Sequence, residues 1–121
     1  GMVGVVGYCL GGHMAYLAAT RTDCDASVSY YGGGIDGRLH ESHAISRPLM
    51  LHLAADDQYI PQEAQDKIQQ ALGDHPRVTI HIYPGVDHAF ARVNGIHRDE
   101  AAANLADGRT LEFFRTHLVK A

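Results

Sequence analysis

The sequence predicts an α/β fold with about four mainly parallel strands and flanking helices. Four short runs rich in Val, Ile, Leu and Tyr alternate along the chain with longer segments of helical character. This alternation is typical of parallel sheets, because each return to the same end of the sheet needs a crossover. Helices then cover both faces of the sheet, which explains strands that are apolar on both sides. With 121 residues, 45% of them apolar, we predict a single domain over residues 1–121.

The first half of the chain predicts two strands and one helix. Val3–Gly7 is a β-branched run, and a helix rich in Ala and Leu follows over Leu10–Arg21. A second strand is predicted over Asp25–Tyr31. Gly32–Gly34 should end this strand, because glycine adopts backbone angles that other residues avoid. We expect a polar loop from there to Arg47.

The second half predicts two more strands and two helices. Pro48–Ala54 is apolar and should form the third strand, and Pro61–Leu72 should form a helix that begins at its proline and stops at Gly73. Alternating apolar residues over Val78–Ile82 predict the fourth strand. A final helix is expected from about Asp99 to Val119. Its predicted docking side consists of Leu105, Leu111, Phe114 and Leu118.

Composition argues against several classes of function. The net charge of −4 and the absence of a basic stripe with interleaved aromatics predict no nucleic-acid partner. The longest apolar stretches, 2–10 and 48–55, are far shorter than the roughly 20 residues that cross a bilayer, so no membrane partner is expected. No export signal is visible, which predicts a cytoplasmic location with Cys9 and Cys24 as separate thiols.

The segment Gly-Tyr-Cys-Leu-Gly-Gly at residues 7–12 is the strongest functional signal. It lies between a predicted strand and a predicted helix, the context that a nucleophile elbow requires. Gly7 and Gly11 should let strand and helix approach closely, and the helix N-terminus should favour a Cys9 thiolate. The Leu10 N–H can supply half of an oxyanion hole. The alternative is a buried structural thiol beside glycines that only permit tight packing.

Two possible partners for Cys9 follow later strands, in the order nucleophile, acid, histidine. Asp57 comes just after the third strand and His88 just after the fourth, so both should face the crevice at the carboxyl ends of the strands. A histidine there can take the thiol proton while the carboxylate fixes its tautomer. Asp56 is the alternative acid, and Asp87 is the alternative for capping or orienting the histidine loop.

The remaining histidines predict structural roles. His40 and His43 have a three-residue spacing but no convincing third ligand, so no metal site is predicted. His52 and His81 alternate with apolar residues in strands and should be packed side chains. The predicted chemistry needs no cofactor.

The chain resembles the dienelactone hydrolase family, the carboxymethylenebutenolidase-like α/β-hydrolases. The elbow, Tyr-Tyr-Gly at 30–32, Asp-Gln-Tyr-Ile-Pro at 57–61 and His-Ala-Phe-Ala-Arg at 88–92 are similar to that family's motifs and occur in family order. The resemblance covers the whole chain and implies the C-terminal half of an α/β-hydrolase fold. It implies these roles: Cys9 as nucleophile, Asp57 as orienting acid, His88 as base, Leu10 as oxyanion donor and Arg92 as a ligand for a substrate carboxylate.

This resemblance predicts a hydrolase that cleaves a small ester or lactone through a thioester. Members of the family have further strands and helices before the elbow, so we expect a chain truncated at its N-terminus that lacks the second oxyanion donor. The alternative function is an impaired remnant or assembly domain that keeps the triad without the full pocket. Whichever function holds, the strand Val3–Gly7 lacks the neighbour that the N-terminal half would supply and should be an open edge, so we expect a homodimer paired through it. Ala89 stands where the best-known members have serine.

Overall fold

The computed structural model describes residues 1–119 and contains one sheet of four strands. The strands follow one another across the sheet in chain order, and every neighbouring pair is parallel. The predicted fold class, with four parallel strands and flanking helices, is therefore confirmed. The strands are β1 (Gly4–Tyr8), β2 (Ala26–Tyr30), β3 (Leu49–Ala54) and β4 (Val78–Tyr83).

Three α-helices connect or follow the strands, at bounds within two residues of the predicted ones: α1 (Leu10–Arg21), α2 (Gln62–Leu72) and α3 (Glu100–Leu118). The predicted polar loop before β3 differs, because it contains 3₁₀ turns over Ile35–Ala44. Ile35 and Ile45 are buried in the core, and this anchoring holds the segment against α1 and α2. Across residues 1–119, none of the helices combines the length and the apolarity that crossing a bilayer requires.

The two faces of the sheet form two cores. Leu49, Leu51 and Leu53 of β3 point to the face covered by α1, α2 and the 3₁₀ turns. Met50 and Ala54 of the same strand point to the opposite face, where α3 packs. All six residues of β3 are buried, as expected for an inner strand of a parallel sheet with helices on both faces.

Helix α3 docks through small residues, and the prediction for its buried side was wrong in part. Leu105 and Leu111 are 49% and 56% exposed, and only Phe114 and Leu118 approach the sheet, over Gly4. Small side chains bring the helix axis close to the sheet, whereas a leucine row would hold it away. The residues that α3 buries are Ala102, Ala103, Ala106, Thr110 and Phe113.

A buried hydrogen-bond network fastens α3 to the sheet. The His52 ring lies between the Tyr83 hydroxyl at 2.8 Å and the Thr110 hydroxyl at 2.9 Å. Thr110 in turn hydrogen-bonds the Tyr30 hydroxyl at 2.7 Å, and Tyr30 donates to the Asp107 carboxylate at 2.6 Å. Burial lowers the pKa of His52 to about 3, so the ring is neutral. His52 is therefore a packed side chain with both ring nitrogens satisfied, as predicted.

Strand β1 is one of the two edge strands of the sheet in the described part of the chain, since it pairs with β2 alone; the other is β4. The Cys9 N–H donates to the Tyr30 carbonyl at 3.1 Å, and the Tyr31 N–H donates to the His52 carbonyl at 2.8 Å. In a parallel ladder the bonded residues of a strand alternate, so odd-numbered residues of β1 bond β2. The N–H and C=O of Val6 consequently point to the open edge.

Glycines allow β1, α1 and the turn after β2 to touch backbone to backbone. A Cβ at Gly7 would overlap the Gly11 carbonyl, and one at Gly12 would lie 2.6 Å from the Tyr30 carbonyl oxygen. A Cβ at Gly11 meets nothing within 4 Å. The prediction that close packing requires a glycine is therefore confirmed at Gly7. On the helix side it was wrong, because the position that requires a glycine is Gly12 and not Gly11.

Gly7→Ala should lower the free energy of unfolding by about 1–3 kcal/mol or more, because the new methyl group meets backbone that cannot move aside. Gly11→Ala is the matched control and should leave stability unchanged or raise it by up to about 1 kcal/mol, since its methyl group has room in a helix. Urea unfolding followed by circular dichroism measures both. Equal stability of the two variants would contradict the close approach at Gly7.

Candidate active site

Cys9 occupies a sharp turn between β1 and α1. Its φ of 57° and ψ of −119° lie in a region that non-glycine residues rarely adopt. The surrounding structure enforces this conformation: the Cys9 N–H donates to the Tyr30 carbonyl, and the Cys9 carbonyl accepts from the Gly12 N–H at 2.9 Å. The sequence prediction of an elbow at this position agrees with the observed geometry.

The Cys9 side chain lines an open cavity of about 530 Å³. Arg92 lies in the same wall, so a cation and a thiol face one space. Arg92 also lines a second cavity of about 230 Å³, which contains His88. The other residues that line the larger cavity are Tyr8, Tyr31, Ala91, Val93 and Asp107.

The Cys9 thiol is not stabilised as a thiolate in the way the sequence predicted. Burial raises the pKa of Cys9, the Arg92 charge opposes this rise, and the Asp57 charge adds to it. The Cys9 side chain also makes no hydrogen bond to the N–H groups that begin α1. The neutral thiol is therefore the resting form at neutral pH, and a base has to take its proton before attack.

Asp57 and His88 are in direct contact. The His88 Nδ1 lies 2.9 Å from Asp57 Oδ2, and the Asp57 side chain is fully buried. The other carboxylate oxygen accepts from the N–H groups of Tyr59 at 2.8 Å and Ile60 at 3.2 Å. The His88 ring packs against the rings of Tyr31 and Tyr59, with centroids 5.1 and 4.9 Å away. These contacts fix both the carboxylate and the imidazole.

The two alternative acids lie differently. Asp56 is exposed, and its backbone N–H donates to the Val86 carbonyl at 3.0 Å. Asp87 accepts hydrogen bonds from the backbone N–H groups of Gln58 and His88. Within residues 1–119, its carboxylate makes no hydrogen bond to the ring nitrogens of His88. The geometry favours Asp57 as the group that orients the ring.

Cys9 and His88 lie at one site without a hydrogen bond between them. Tyr31 connects them, since it lines the same cavity as Cys9 and packs on the His88 ring. Among the described residues, no hydrogen bond joins the Cys9 sulfur to the imidazole. Contacts between nucleophile and base commonly tighten only when substrate is bound. The structure thus places Asp57 and His88 in contact and leaves Cys9 near them.

Leu10 is the first residue of α1, and its N–H has no acceptor within the described part of the chain. Such an N–H beside the elbow is available to an incoming oxygen. The roles predicted for Leu10 and Arg92 remain predictions, since only their positions are observed.

Sequence reasoning missed three residues of the cavity wall: Tyr8, Tyr31 and Asp107. Tyr31 belongs to a noted motif, but its positive φ of 39° turns its side chain out of the strand alternation and toward the site. Asp107 sits on α3, far along the chain, and reaches the wall through its hydrogen bond with Tyr30. A tertiary contact of this kind leaves no local pattern in the sequence.

The histidines weighed as metal ligands have other contacts. The His43 ring hydrogen-bonds the His40 carbonyl at 2.9 Å, and His40 lies 3.8 Å from Glu41. Over residues 1–119, no group of three or more His, Cys, Asp or Glu side chains could hold a metal ion.

Known proteins resemble this chain in both sequence and structure. A family model described as dienelactone hydrolase family matches residues 1–118. A relative from Azospirillum brasilense is 51% identical over 109 residues, which is 90% of this chain and 47% of the relative. Carboxymethylenebutenolidase 1 of Cupriavidus pinatubonensis is 41% identical over 112 residues, covering 93% of this chain and 47% of that protein.

Solved structures give the same result. One from Klebsiella pneumoniae superposes with a TM-score of 0.84 at 25% identity and covers 94% of this chain and 52% of its own. A dienelactone hydrolase-like promiscuous phosphotriesterase from metagenomic libraries superposes with a TM-score of 0.81 at 18% identity, over 95% of this chain and 52% of its own, which supports the fold alone. The chain spans about half the length of the relatives that it matches. Because the family model matches almost the whole sequence, the chain belongs to the dienelactone hydrolase family.

Proposed function

We propose that this chain carries the catalytic centre of a hydrolase that cleaves a small ester or lactone. Cys9 is the nucleophile, His88 the base and Asp57 the orienting acid. The observation that carries the proposal is the buried 2.9 Å contact between Asp57 and His88, beside a strained cysteine turn that opens on a cavity. A packed structural thiol would need neither the strained turn nor the oriented imidazole.

The reaction proceeds in two halves. His88 takes the Cys9 proton, and the sulfur forms a bond to the substrate carbonyl carbon while the Leu10 N–H donates to the resulting oxyanion. The bond from carbon to the leaving oxygen then breaks, and the imidazolium returns its proton to that oxygen. In the second half His88 deprotonates a water, which attacks the thioester. The sulfur leaves and is reprotonated, and the carboxylic acid is released.

Arg92 supports a substrate that carries a carboxylate. Its guanidinium lies in the wall of the Cys9 cavity, and the planar fork of arginine matches a carboxylate through two hydrogen bonds. The matched relatives are named carboxymethylenebutenolidases, and a butenolide is an unsaturated lactone. We therefore propose a small acidic lactone or ester as the substrate class.

An impaired remnant or assembly domain is the second candidate function. Leu10 and Met14 on α1 are 76% and 57% exposed, and together with Val6 and Tyr8 they form an apolar surface beside the elbow. Neighbouring exposed apolar side chains of this kind are typical of an interface with another protein. In this case Cys9 reacts with thiol reagents while no ester is turned over.

We also propose a homodimer that pairs two copies of the Val3–Gly7 strand. The open backbone groups of Val6 support it, since an unpaired edge is a template for a further strand. A two-fold axis would set the two strands antiparallel and join two four-stranded halves into one sheet. We also propose a cytoplasmic location, where Cys9 and Cys24 would stay reduced as separate thiols.

Cys9→Ala should lower turnover of an aryl ester by about three orders of magnitude or more, because no other group can form the thioester. Cys24→Ala is the matched control and should keep full turnover, since this buried thiol lies outside the cavity. Steady-state kinetics and iodoacetamide labelling measure the two thiols separately. Labelling of Cys9 without any turnover in the wild-type chain would favour the remnant.

Asp57→Asn should lower kcat by up to about 10⁴-fold, because an amide favours the wrong imidazole tautomer. Asp56→Asn makes the same change on the neighbouring exposed residue and should leave kcat near the wild-type value. Both variants are compared with the same ester. Equal losses, or a larger loss from Asp56→Asn, would overturn the assignment of the acid.

Val6→Pro should convert the dimer to a monomer, because proline removes the N–H that points to the open edge and leaves the bonds to β2 in place. Val6→Thr keeps that N–H and should stay dimeric. Size-exclusion chromatography with light scattering at micromolar concentration gives the mass of each. A monomeric wild-type chain, or a dimer unaffected by Val6→Pro, would contradict the proposed contact.

A further inference from the structure

One carboxylate joins the two loops that carry Asp57 and His88. Asp87 Oδ1 accepts from the backbone N–H of Gln58 at 2.9 Å and from that of His88 at 2.6 Å. The other oxygen, Oδ2, accepts from the Gln58 side-chain amide at 3.3 Å. Asp87 therefore bonds the residue that follows Asp57 and the backbone of His88 itself.

These bonds are part of a series of contacts that joins the two loops just after β3 and β4. Strands β3 and β4 are neighbours, and beyond them the Asp56 N–H still donates to the Val86 carbonyl at 3.0 Å. The next link along the two loops is Asp87 to Gln58, and the ring of His88 lies on Asp57 beside it, with the Asp57 carboxylate buried. The bonds of the Asp87 carboxylate therefore lie next to the contact between Asp57 and His88.

Asp87 is charged under the conditions in which the site would work. Its hydrogen bonds from the Gln58 and His88 N–H groups lower the pKa of Asp87, partial burial opposes this, and the charges of His97 and His88 add to the lowering. The His97 ring lies 4.0 Å from Asp87. An anion that accepts several N–H bonds holds them more firmly than a neutral acceptor does.

An ordinary loop cap would have fewer long-range contacts. An aspartate that caps its own turn accepts from backbone N–H groups one to three residues ahead, as Asp87 does from His88. The bonds to Gln58 differ, because that residue lies 29 positions earlier in the chain. They fix one loop against the other, which a local cap does not do.

We propose that Asp87 is a positioning residue that clamps the histidine loop to the acid loop and sets the His88 ring against Asp57. This inference rests on the proposed function only for its effect on turnover. The geometry that it predicts exists whether or not the chain hydrolyses an ester.

The primary test follows the proton on His88 Nδ1 by proton NMR, since its exchange with water reports how firmly the ring is held against Asp57. Asp87→Ala removes every acceptor and should speed this exchange. Asp87→Asn keeps one acceptor oxygen and should lie between Asp87→Ala and the wild type. Asp57→Asn marks the fully released ring. Asp56→Ala, an exposed carboxylate of the same loop, should match the wild type.

An Asp87→Ala ring as protected as that of the wild type would overturn the proposal. If Asp87→Ala does not fold, Asp87→Asn decides: exchange faster than in the wild type supports the clamp, and equal exchange contradicts it. Where the wild type turns over an ester, Asp87→Ala should lower kcat by about 10–100-fold with little change in KM, because the ring is misplaced while the cavity is intact. A wild type without turnover defeats the proposed function and leaves the NMR result interpretable.

Discussion

Backbone contact around Cys9 is the constraint on which the rest of the site depends. A Cβ at Gly12 would lie 2.6 Å from the Tyr30 carbonyl oxygen, and one at Gly32 would lie 2.6 Å from the Gly12 carbonyl carbon. Helix α1 and the turn after β2 can approach only because these side chains are missing. The approach leaves Cys9 no regular conformation between strand and helix, so the residue takes its positive φ and turns toward the cavity. The direction in which the Cys9 thiol points is therefore determined by the backbone around it.

On the face of the sheet opposite to α1, polar groups are buried beneath α3. His52, Tyr30 and Thr110 are each nearly inaccessible, and each has a hydrogen-bond partner within the network. A satisfied network costs far less than isolated polar groups and fixes the helix in one position. Because Tyr30 also holds Asp107, the same network sets one wall of the Cys9 cavity. Packing and site geometry are coupled through this one tyrosine.

Asp57 and His88 depend on neighbouring strands for their contact. Asp57 follows β3 and His88 follows β4, and the parallel pairing of these strands brings both loops to one edge of the sheet. Strand pairing alone sets only the approximate position of the two loops. The proposed proton transfer by the His88 ring needs closer placement, because a misplacement of about 1 Å can cost about 10²-fold in rate. The packing of Tyr31 and Tyr59 on the ring supplies additional restraint, and the proposed clamp by the Asp87 carboxylate would add to it.

The sequence by itself determined the α/β class, the four strands, the helix bounds to within two residues, and the positions of Cys9, Asp57 and His88 at the ends of strands. These features depend on residue periodicity and turn chemistry, which act over a few neighbouring residues. Tertiary structure decided which side of α3 is buried, because small residues bring a helix closer to a sheet than leucines do. It also decided that the Cys9 pKa is raised and that Asp87 joins two loops, since burial and contacts between distant residues exist only in the folded chain.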